Sequence, residues 1–225
     1  IFTLKGISIY GNNRVVSTDI LNAANLNIGR DKATSLTSHI AERRIKARLR
    51  YVEKVEIQRG VFPDGWVNIE VKEREPMALV ATRVDASLLK PFQSLMVVDT
   101  DGFILEEITG CPPESFSRAC FSNLPVIAGS DCARLALDVL KEVRSVMPEL
   151  FDDISDIDAR DPDDIILRLR MRTGKYTLRV RIASDQIREG LSNALYVLKR
   201  ILKSGTGCLE YVDARFPGTV YCGKI

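Results

Sequence analysis

The sequence predicts an α+β fold in two domains, residues 1–74 and residues 75–225. In the first part, one strand pattern is followed by two helical patterns and then by two alternating strands. The Glu75-Pro76 step permits an extended chain but not a continuing helix, so it is a natural boundary. In the second part, paired alternating segments outnumber helical ones, which predicts a mixed α/β domain with a largely antiparallel sheet.

The composition indicates a folded chain without a dominant charge. Of 225 residues, 45% are hydrophobic and 28% are charged, with a formal net charge of +2. This is enough apolar material for one large core or two modest ones. Because the charges nearly balance, the chain as a whole is not predicted to bind nucleic acid, and only local basic patches could bind a polyanion.

Targeting and membrane signals are missing from the sequence. No apolar run approaches the roughly 18–20 residues that cross a bilayer, and no signal peptide is visible. The chain starts at Ile1 rather than at a methionine, so we expect that an upstream segment precedes it in the full protein.

The cysteines do not form a metal-binding pattern. There is no C-x-x-C pair, and His39 is the single histidine, so no zinc site is expected. In an oxidising compartment Cys111 and Cys120 could close the loop between them, but ordinary small or buried residues are the favoured interpretation. The five cysteines are Cys111, Cys120, Cys132, Cys208 and Cys222.

The first domain reads as a strand, two helices and a hairpin. Ile7 and Ile9 alternate with polar residues, and Ser17 or Thr18 is predicted to cap a helix from Asp19 to about Ala24. A second helix is predicted from an apolar stripe, and a hairpin from two strands of alternating residues. The stripe is Leu36, Ile40, Ala41, Ile45 and Leu49, and the strands run through Val55 and Ile57 and through Val67, Ile69 and Val71, joined by Val61–Gly65. Two helices would cover one face of this three-stranded sheet.

The second helix also carries a run of basic residues: Arg43, Arg44, Lys46, Arg48 and Arg50. Such a helix could contact nucleic acid or anionic lipid headgroups. A solvated face is the favoured interpretation, because no aromatic residues interleave with the charges.

The second domain opens with a strand from Met77 to Thr82 and a hairpin within Leu95–Leu105. The hairpin turns through Asp101-Gly102, and a tight turn is favoured over a calcium loop because the flanks are β-like. A helix capped by Ser130 or Asp131 is predicted to end at Pro148. We expect the seven aspartates that follow to lie in solvated turns without acid–base or metal chemistry, namely Asp152, Asp153, Asp156, Asp158, Asp161, Asp163 and Asp164.

The last part of the sequence predicts two arginine-rich strands, a helix and two closing strands. The strands Ile165–Met171 and Tyr176–Ala183 carry arginines on one face, which should meet water or an acidic partner. A helix beginning at Ser184 or Asp185 is predicted to stop at Ser204-Gly205. In the closing strands, we expect Val212, Ala214 and Phe216 to face the core and Pro217 to mark a turn, bulge or free edge. Thr219–Gly223 should then be the last strand of the sheet, with an open edge.

Several of these segments, in this order, resemble one known family. They are Ile7–Asn12, Val55–Arg59, Val71–Ala78, the Asp-Gly hairpin, Leu124-Pro125 and Leu209–Tyr221. The first domain resembles a POTRA domain, and the whole chain resembles the FtsQ/DivIB family of bacterial cell-division proteins.

The resemblance implies a divisome scaffold without a cofactor, an enzymatic activity, a nucleic-acid partner or a small-molecule substrate. It implies an inner-membrane protein with a single transmembrane helix, missing here, and an extracytoplasmic part that binds FtsB, FtsL and other septal proteins. The expected mode is addition of a partner strand at the C-terminal edge. The candidate partner-binding residues are Arg160, Tyr211, Arg215, Phe216, Pro217, Gly218, Thr219, Val220, Tyr221, Cys222 and Gly223.

Two alternative functions are less well supported by the sequence. A POTRA-containing transport or outer-membrane assembly factor usually carries tandem repeats, and no internal repeat is visible in this sequence. An enzyme is disfavoured because no G-x-S-x-G, P-loop or H-E-x-x-H motif is found. Binding through Thr219–Gly223 predicts that Thr219→Pro, or charge reversal at Arg215, abolishes partner binding while the fold survives.

Overall fold

The computed structural model describes residues 3–32, 34–59, 65–82, 94–109, 121, 123–170, 177–204 and 210–223. The chain divides into two compact units, Ile1–Glu75 and Pro76–Ile225. The first unit has the predicted β-α-α-β-β order, and the second contains a large, mostly antiparallel sheet with helices. The α+β prediction is therefore confirmed.

The first unit is a three-stranded sheet with two helices. The central strand, β3, lies parallel to β1 and antiparallel to β2, so the predicted hairpin is confirmed. Its linker, residues 60–64, lies outside the described residues. The elements are β1 (Gly6–Tyr10), α1 (Ser17–Ala24), α2 (Ser35–Arg48), β2 (Val52–Arg59) and β3 (Trp66–Glu73).

The core of the first unit lies between the helices and the sheet. Ile20 on α1, Ile45 on α2 and Ile69 on β3 are fully buried. Ile40, which the sequence placed in the apolar stripe of α2, is instead 40% exposed. It lies roughly 100° around the helix from Ala41, the residue that contacts the core.

A long-range carboxylate, not a serine or threonine cap, holds the start of α1. Neither Ser17 nor Thr18 caps the helix, because the N-cap residue is Val16 and it makes no side-chain cap bond. The carboxylate of Glu73, at the end of β3, instead accepts the backbone N–H groups of the preceding turn. These are Asn13, Arg14 and Val15, at 2.9, 2.8 and 2.9 Å.

The second unit is built on a sheet of nine described strands in the order β12-β11-β10-β9-β8-β7-β4-β5-β6. Most neighbouring strands are antiparallel. The parallel pairs are β4–β7, β7–β8 and β10–β11. The strands are β4 (Pro76–Thr82), β5 (Ser94–Asp99), β6 (Ile104–Thr109), β7 (Val126–Ile127), β8 (Ile154–Asp158), β9 (Ile165–Arg170), β10 (Thr177–Ile182), β11 (Tyr211–Phe216) and β12 (Thr219–Gly223).

The helices of the second unit are α3 (Ala133–Val146), α4 (Pro148–Phe151) and α5 (Ile187–Ser204), which follows a 3-10 turn at Ser184–Gln186. The predicted cap of α3 is wrong, because Cys132 is the N-cap residue and makes no side-chain cap bond. Pro148 does not simply end a helix but begins α4, where its missing N–H costs nothing. Residues of α3 and α5 form one core with the strands beneath them.

The Asp-Gly hairpin is confirmed as a turn. The strands β5 and β6 pair antiparallel, and Asp99 Oδ1 accepts the backbone N–H groups of Asp101 and Phe103 at 2.9 and 2.8 Å. This carboxylate therefore organises the turn itself.

Part of the aspartate-rich segment is a strand, not the loop that the sequence predicted. Ile154–Asp158 forms β8 in the interior of the sheet, with Ile154 and Ile157 fully buried. The two buried residues are three positions apart because the register of β8 against β9 shifts between Ile154 and Asp156. That bulge breaks the period-two pattern by which a strand is detected.

Candidate partner-binding edge

The strand β12 lies at the end of the described sheet and pairs with β11 on one side. This agrees with the edge position predicted from the sequence. Thr219, Tyr221 and Cys222 are exposed, whereas Val220 packs against the core. An edge strand presents every second N–H and C=O pair outward, where an added strand can bond to them.

A tight turn connects the two strands of this edge. Pro217 and Gly218 form the turn, and Gly218 has a φ of 64°. Proline presets φ near −65° and glycine adopts the left-handed conformation without strain, so the Pro-Gly pair suits this turn.

Phe216 does not face the core, and that prediction is wrong: its side chain is 47% exposed. The register of β11 against β12 shifts between Asp213 and Phe216. One extra residue in β11 moves Phe216 away from the side of Val212 and Ala214, which stay buried, to the side of Asp213.

The bulge creates an exposed aromatic pair. The rings of Phe216 and Tyr221 meet edge to face, with centroids 5.6 Å apart, and Tyr221 is 56% exposed. The guanidinium carbon of Arg215 lies 5.6 Å from the centroid of the Phe216 ring. Two exposed aromatic side chains and a cation thus lie together at the end of the described sheet.

Beneath this pair lies a network of two carboxylates and two guanidinium groups. Arg215 donates two hydrogen bonds to Asp213, at 2.9 and 2.7 Å, and its Nη1 lies 3.6 Å from Asp164 Oδ1. Arg181 on β10 donates to both oxygens of Asp164, and its Nη1 lies 3.7 Å from Asp213 Oδ2. The acidic partner that the sequence predicted for the arginine face is thus, at Arg181, supplied by the chain itself.

The electrostatics of the network favour the charged forms of Asp213, Arg181 and Arg215. Burial raises the pKa of Asp213, but hydrogen bonds from Arg215 and the charges of Arg215 and Arg181 outweigh it, so the pKa lies below the usual range. The hydrogen bond to Asp213 raises the pKa of Arg215, and the bond to Asp164 raises the pKa of Arg181. Arg215 is therefore largely occupied within its own chain.

Arg160 is not brought to this edge. It follows β8, which β9, β10 and β11 separate from β12. Its guanidinium donates to Asp158 at 2.9 and 2.5 Å, and this hydrogen bond lowers the pKa of Asp158. The tripeptide Asp-Ala-Arg occurs at 158–160 and again at 213–215. In both places the arginine backbone N–H also donates to the aspartate Oδ1, so this repeated tripeptide is the sequence signal of the pairing.

The remaining predicted residues complete the hairpin. Tyr211 is opposite Gly223, and a Cβ at Gly223 would lie 3.3 Å from Tyr211 Oη, so the tyrosine crosses β12 at a glycine. Cys222 is an exposed free thiol opposite Val212, and Cys132 is a buried one. Cys111, Cys120 and Cys208 lie outside the described residues, as does any bond between the first two.

Within the described parts of the chain, no cluster of His, Cys, Asp or Glu side chains is arranged to hold a metal ion. The helices within the same ranges include none that is both long and apolar enough to span a membrane.

A three-stranded sheet with two helices in the order βααββ is the architecture of a POTRA domain, which defines the class of protein to which the first unit belongs. Residues 2–74 match the family model of the POTRA domain, FtsQ-type. A search of curated proteins finds no match to the chain. The first unit is therefore an FtsQ-type POTRA domain, and the chain is a POTRA-containing protein. Such a domain fits an extracytoplasmic position and a scaffold role in cell division.

Proposed function

We propose that this protein is a non-enzymatic divisome scaffold that binds FtsB- and FtsL-type partners by strand addition along β12. In this proposal residues 1–74 are the POTRA domain and residues 75–225 are an FtsQ-type C-terminal β domain. A transmembrane helix upstream of the chain anchors it in the inner membrane, with both domains on the extracytoplasmic side.

One observation carries the proposal: β12 pairs with β11 on one side and ends the described sheet on the other. Main-chain hydrogen bonds along such an edge supply affinity without requiring a particular partner sequence. The cover that a partner strand provides would also remove the aggregation hazard of an open edge.

Specificity in this scheme comes from the side chains around the edge. Phe216 and Tyr221 are exposed rings that a partner can bury, and buried aromatic anchors dominate most interfaces. Arg215 contributes by holding its guanidinium beside the Phe216 ring and by lining the same face. Arg160, on the far side of three strands, contributes only if the partner extends across the sheet.

The test is binding of a purified FtsB–FtsL-type complex to the chain, measured by calorimetry. Thr219 pairs with Phe216 on β11, so Thr219→Pro should disturb the start of the edge strand and abolish binding, and circular dichroism checks that the rest of the fold survives. Ile104→Pro is the matched control, since Ile104 is the first residue of β6 at the opposite end of the described sheet.

Amide hydrogen exchange locates the added strand directly. Binding along β12 protects amides of Thr219–Gly223 and leaves those of β6 unchanged. Loss of binding in the Ile104→Pro variant, or protection of β6 in place of β12, would contradict the proposal.

Charge reversal at Arg215 is a poor test of binding. Arg215→Glu would bring a third carboxylate next to Asp213 and Asp164, and Asp213 is 7% exposed. The expected effect on folding, through an uncompensated buried charge, would obscure any effect on the interface.

A further inference from the structure

The outward side of α2 in the first unit carries a surface that strand addition at β12 does not use. Ala41 and Ile45 face the core, and the residues on the opposite side are all exposed. We call this surface the basic face of α2, and it consists of His39, Ile40, Arg43, Arg44, Lys46 and Ala47. Arg50, just beyond the helix, is exposed as well.

The basic face is not neutralised by its own helix. Glu42 is the single acidic residue of α2, and its Oε1 accepts the backbone N–H of Ile57 on β2 at 3.0 Å. Its other oxygen lies 3.8 Å from Nδ1 of His39. Across the described ranges, no carboxylate forms an ion pair with Arg43, Arg44 or Lys46.

The chemistry of the basic face selects one kind of ligand. The basic face is the convex surface of a helix, so it provides no groove in which a peptide could bind. No aromatic residue lies between His39 and Arg50. Protein interfaces and single-stranded nucleic-acid sites depend on aromatic side chains for their anchors. Clustered Lys and Arg on one helix face, next to an exposed aliphatic residue such as Ile40, are typical of contacts with anionic lipid headgroups.

We propose that the basic face of α2 binds anionic phospholipid headgroups and lays the first unit on a membrane surface. The guanidinium and ammonium groups contact phosphates, and Ile40 enters the headgroup layer. The contact is electrostatic, so it weakens as salt shortens the range of the charges. It goes beyond the proposed binding at β12, which belongs to the other unit, and either proposal can fail alone.

The test is flotation of the 225-residue chain with vesicles. One set contains phosphatidylcholine alone and the other an equal mixture of phosphatidylglycerol and phosphatidylcholine. We expect binding to the anionic vesicles only, decreasing with added salt. The variant Arg43→Gln/Arg44→Gln/Lys46→Gln keeps good helix formers and should bind on the order of 100-fold more weakly.

A matched control removes the same charge elsewhere. Arg170→Gln/Arg179→Gln/Arg200→Gln changes three exposed arginines of the second unit and should bind vesicles as the unmodified chain does. Equal losses of vesicle binding in both triple variants would show that net charge alone accounts for binding, and would overturn the proposal. Equal binding to both vesicle types would also overturn it. So would full competition by soluble polyglutamate against anionic vesicles, because that result would assign the basic face to an acidic protein segment.

Discussion

Arg215 donates two hydrogen bonds to the carboxylate of Asp213, two residues earlier on the same strand, and this pair lies directly beneath the exposed edge. The Asp158–Arg160 pair repeats the arrangement at the end of β8, with donor–acceptor distances of 2.9 and 2.5 Å. The two pairs differ in exposure, since the arginine side chain is 23% exposed at position 215 and 64% exposed at position 160. This difference provides a matched comparison within one chain.

Arg215→Met should destabilise the protein by about 3 kcal/mol, because it leaves Asp213 buried with only the more distant Arg181 to balance it. Arg160→Met should cost less than about 1 kcal/mol, as expected for an exposed pair. Urea unfolding at neutral pH measures both values. Equal costs in the two variants would show that burial of Asp213 does not set the strength of its pair.

Lowering the pH should remove the contribution of Asp213 to folding stability. Its pKa is lower in the folded protein than the unfolded value of about 4, so its contribution is fully present above that value and is lost as the pH falls through the folded pKa. The free energies of unfolding of the unmodified chain and of Asp213→Asn should therefore differ by a constant amount above about pH 5 and converge below about pH 4. Urea unfolding at a series of pH values tests this, and a difference that widens in acid would contradict it.

Phe216→Ala and Tyr221→Ala should each weaken binding of an FtsB–FtsL-type complex by about 2 kcal/mol, since both rings are proposed anchors. Each should lower folding stability by about 1 kcal/mol or less, the value of one edge-to-face pair. Tyr196→Ala is the control, because Tyr196 is 68% exposed and belongs to α5 rather than to the edge strands. Unchanged calorimetric affinity in both edge variants would remove the aromatic pair from the interface.

Gly190→Ala should destabilise the protein even though alanine is the better helix former. The added Cβ would lie 2.9 Å from the carbonyl oxygen of Ala214 and 3.2 Å from Cγ2 of Ile182, so α5 would have to move off β10 and β11. We expect a net loss of about 1–3 kcal/mol.

Ser192→Ala on the same helix is the control for Gly190→Ala. Ser192 is exposed and donates to the carbonyl of Arg188 at 2.8 Å, so its replacement should raise stability by about 0.5 kcal/mol. Thermal unfolding of the two variants should therefore shift in opposite directions. A stabilising Gly190→Ala would mean that the helix approaches β11 less closely than the structure has it.

Local sequence patterns were sufficient to predict most strands and their order along the chain. The hairpins β2–β3, β5–β6 and β9–β10 were predicted because alternation with a period of two needs only neighbouring residues. Helix starts were less predictable. Both expected caps failed, and at α1 the turn is held by Glu73, a residue from the far end of the unit that no local window contains.

The amino-acid sequence by itself determined most of the elements, the POTRA order of the first unit and the edge position of the last strand, because each follows from periodicity and chain order. Only the tertiary structure decided which side chains reach that edge. The bulge after Asp213 turns Phe216 outward to Tyr221, and the carboxylates of Asp164 and Asp213 bring Arg181 and Arg215 together. A bulge and an ion network depend on the register of neighbouring strands, and register is a property of two segments rather than of one.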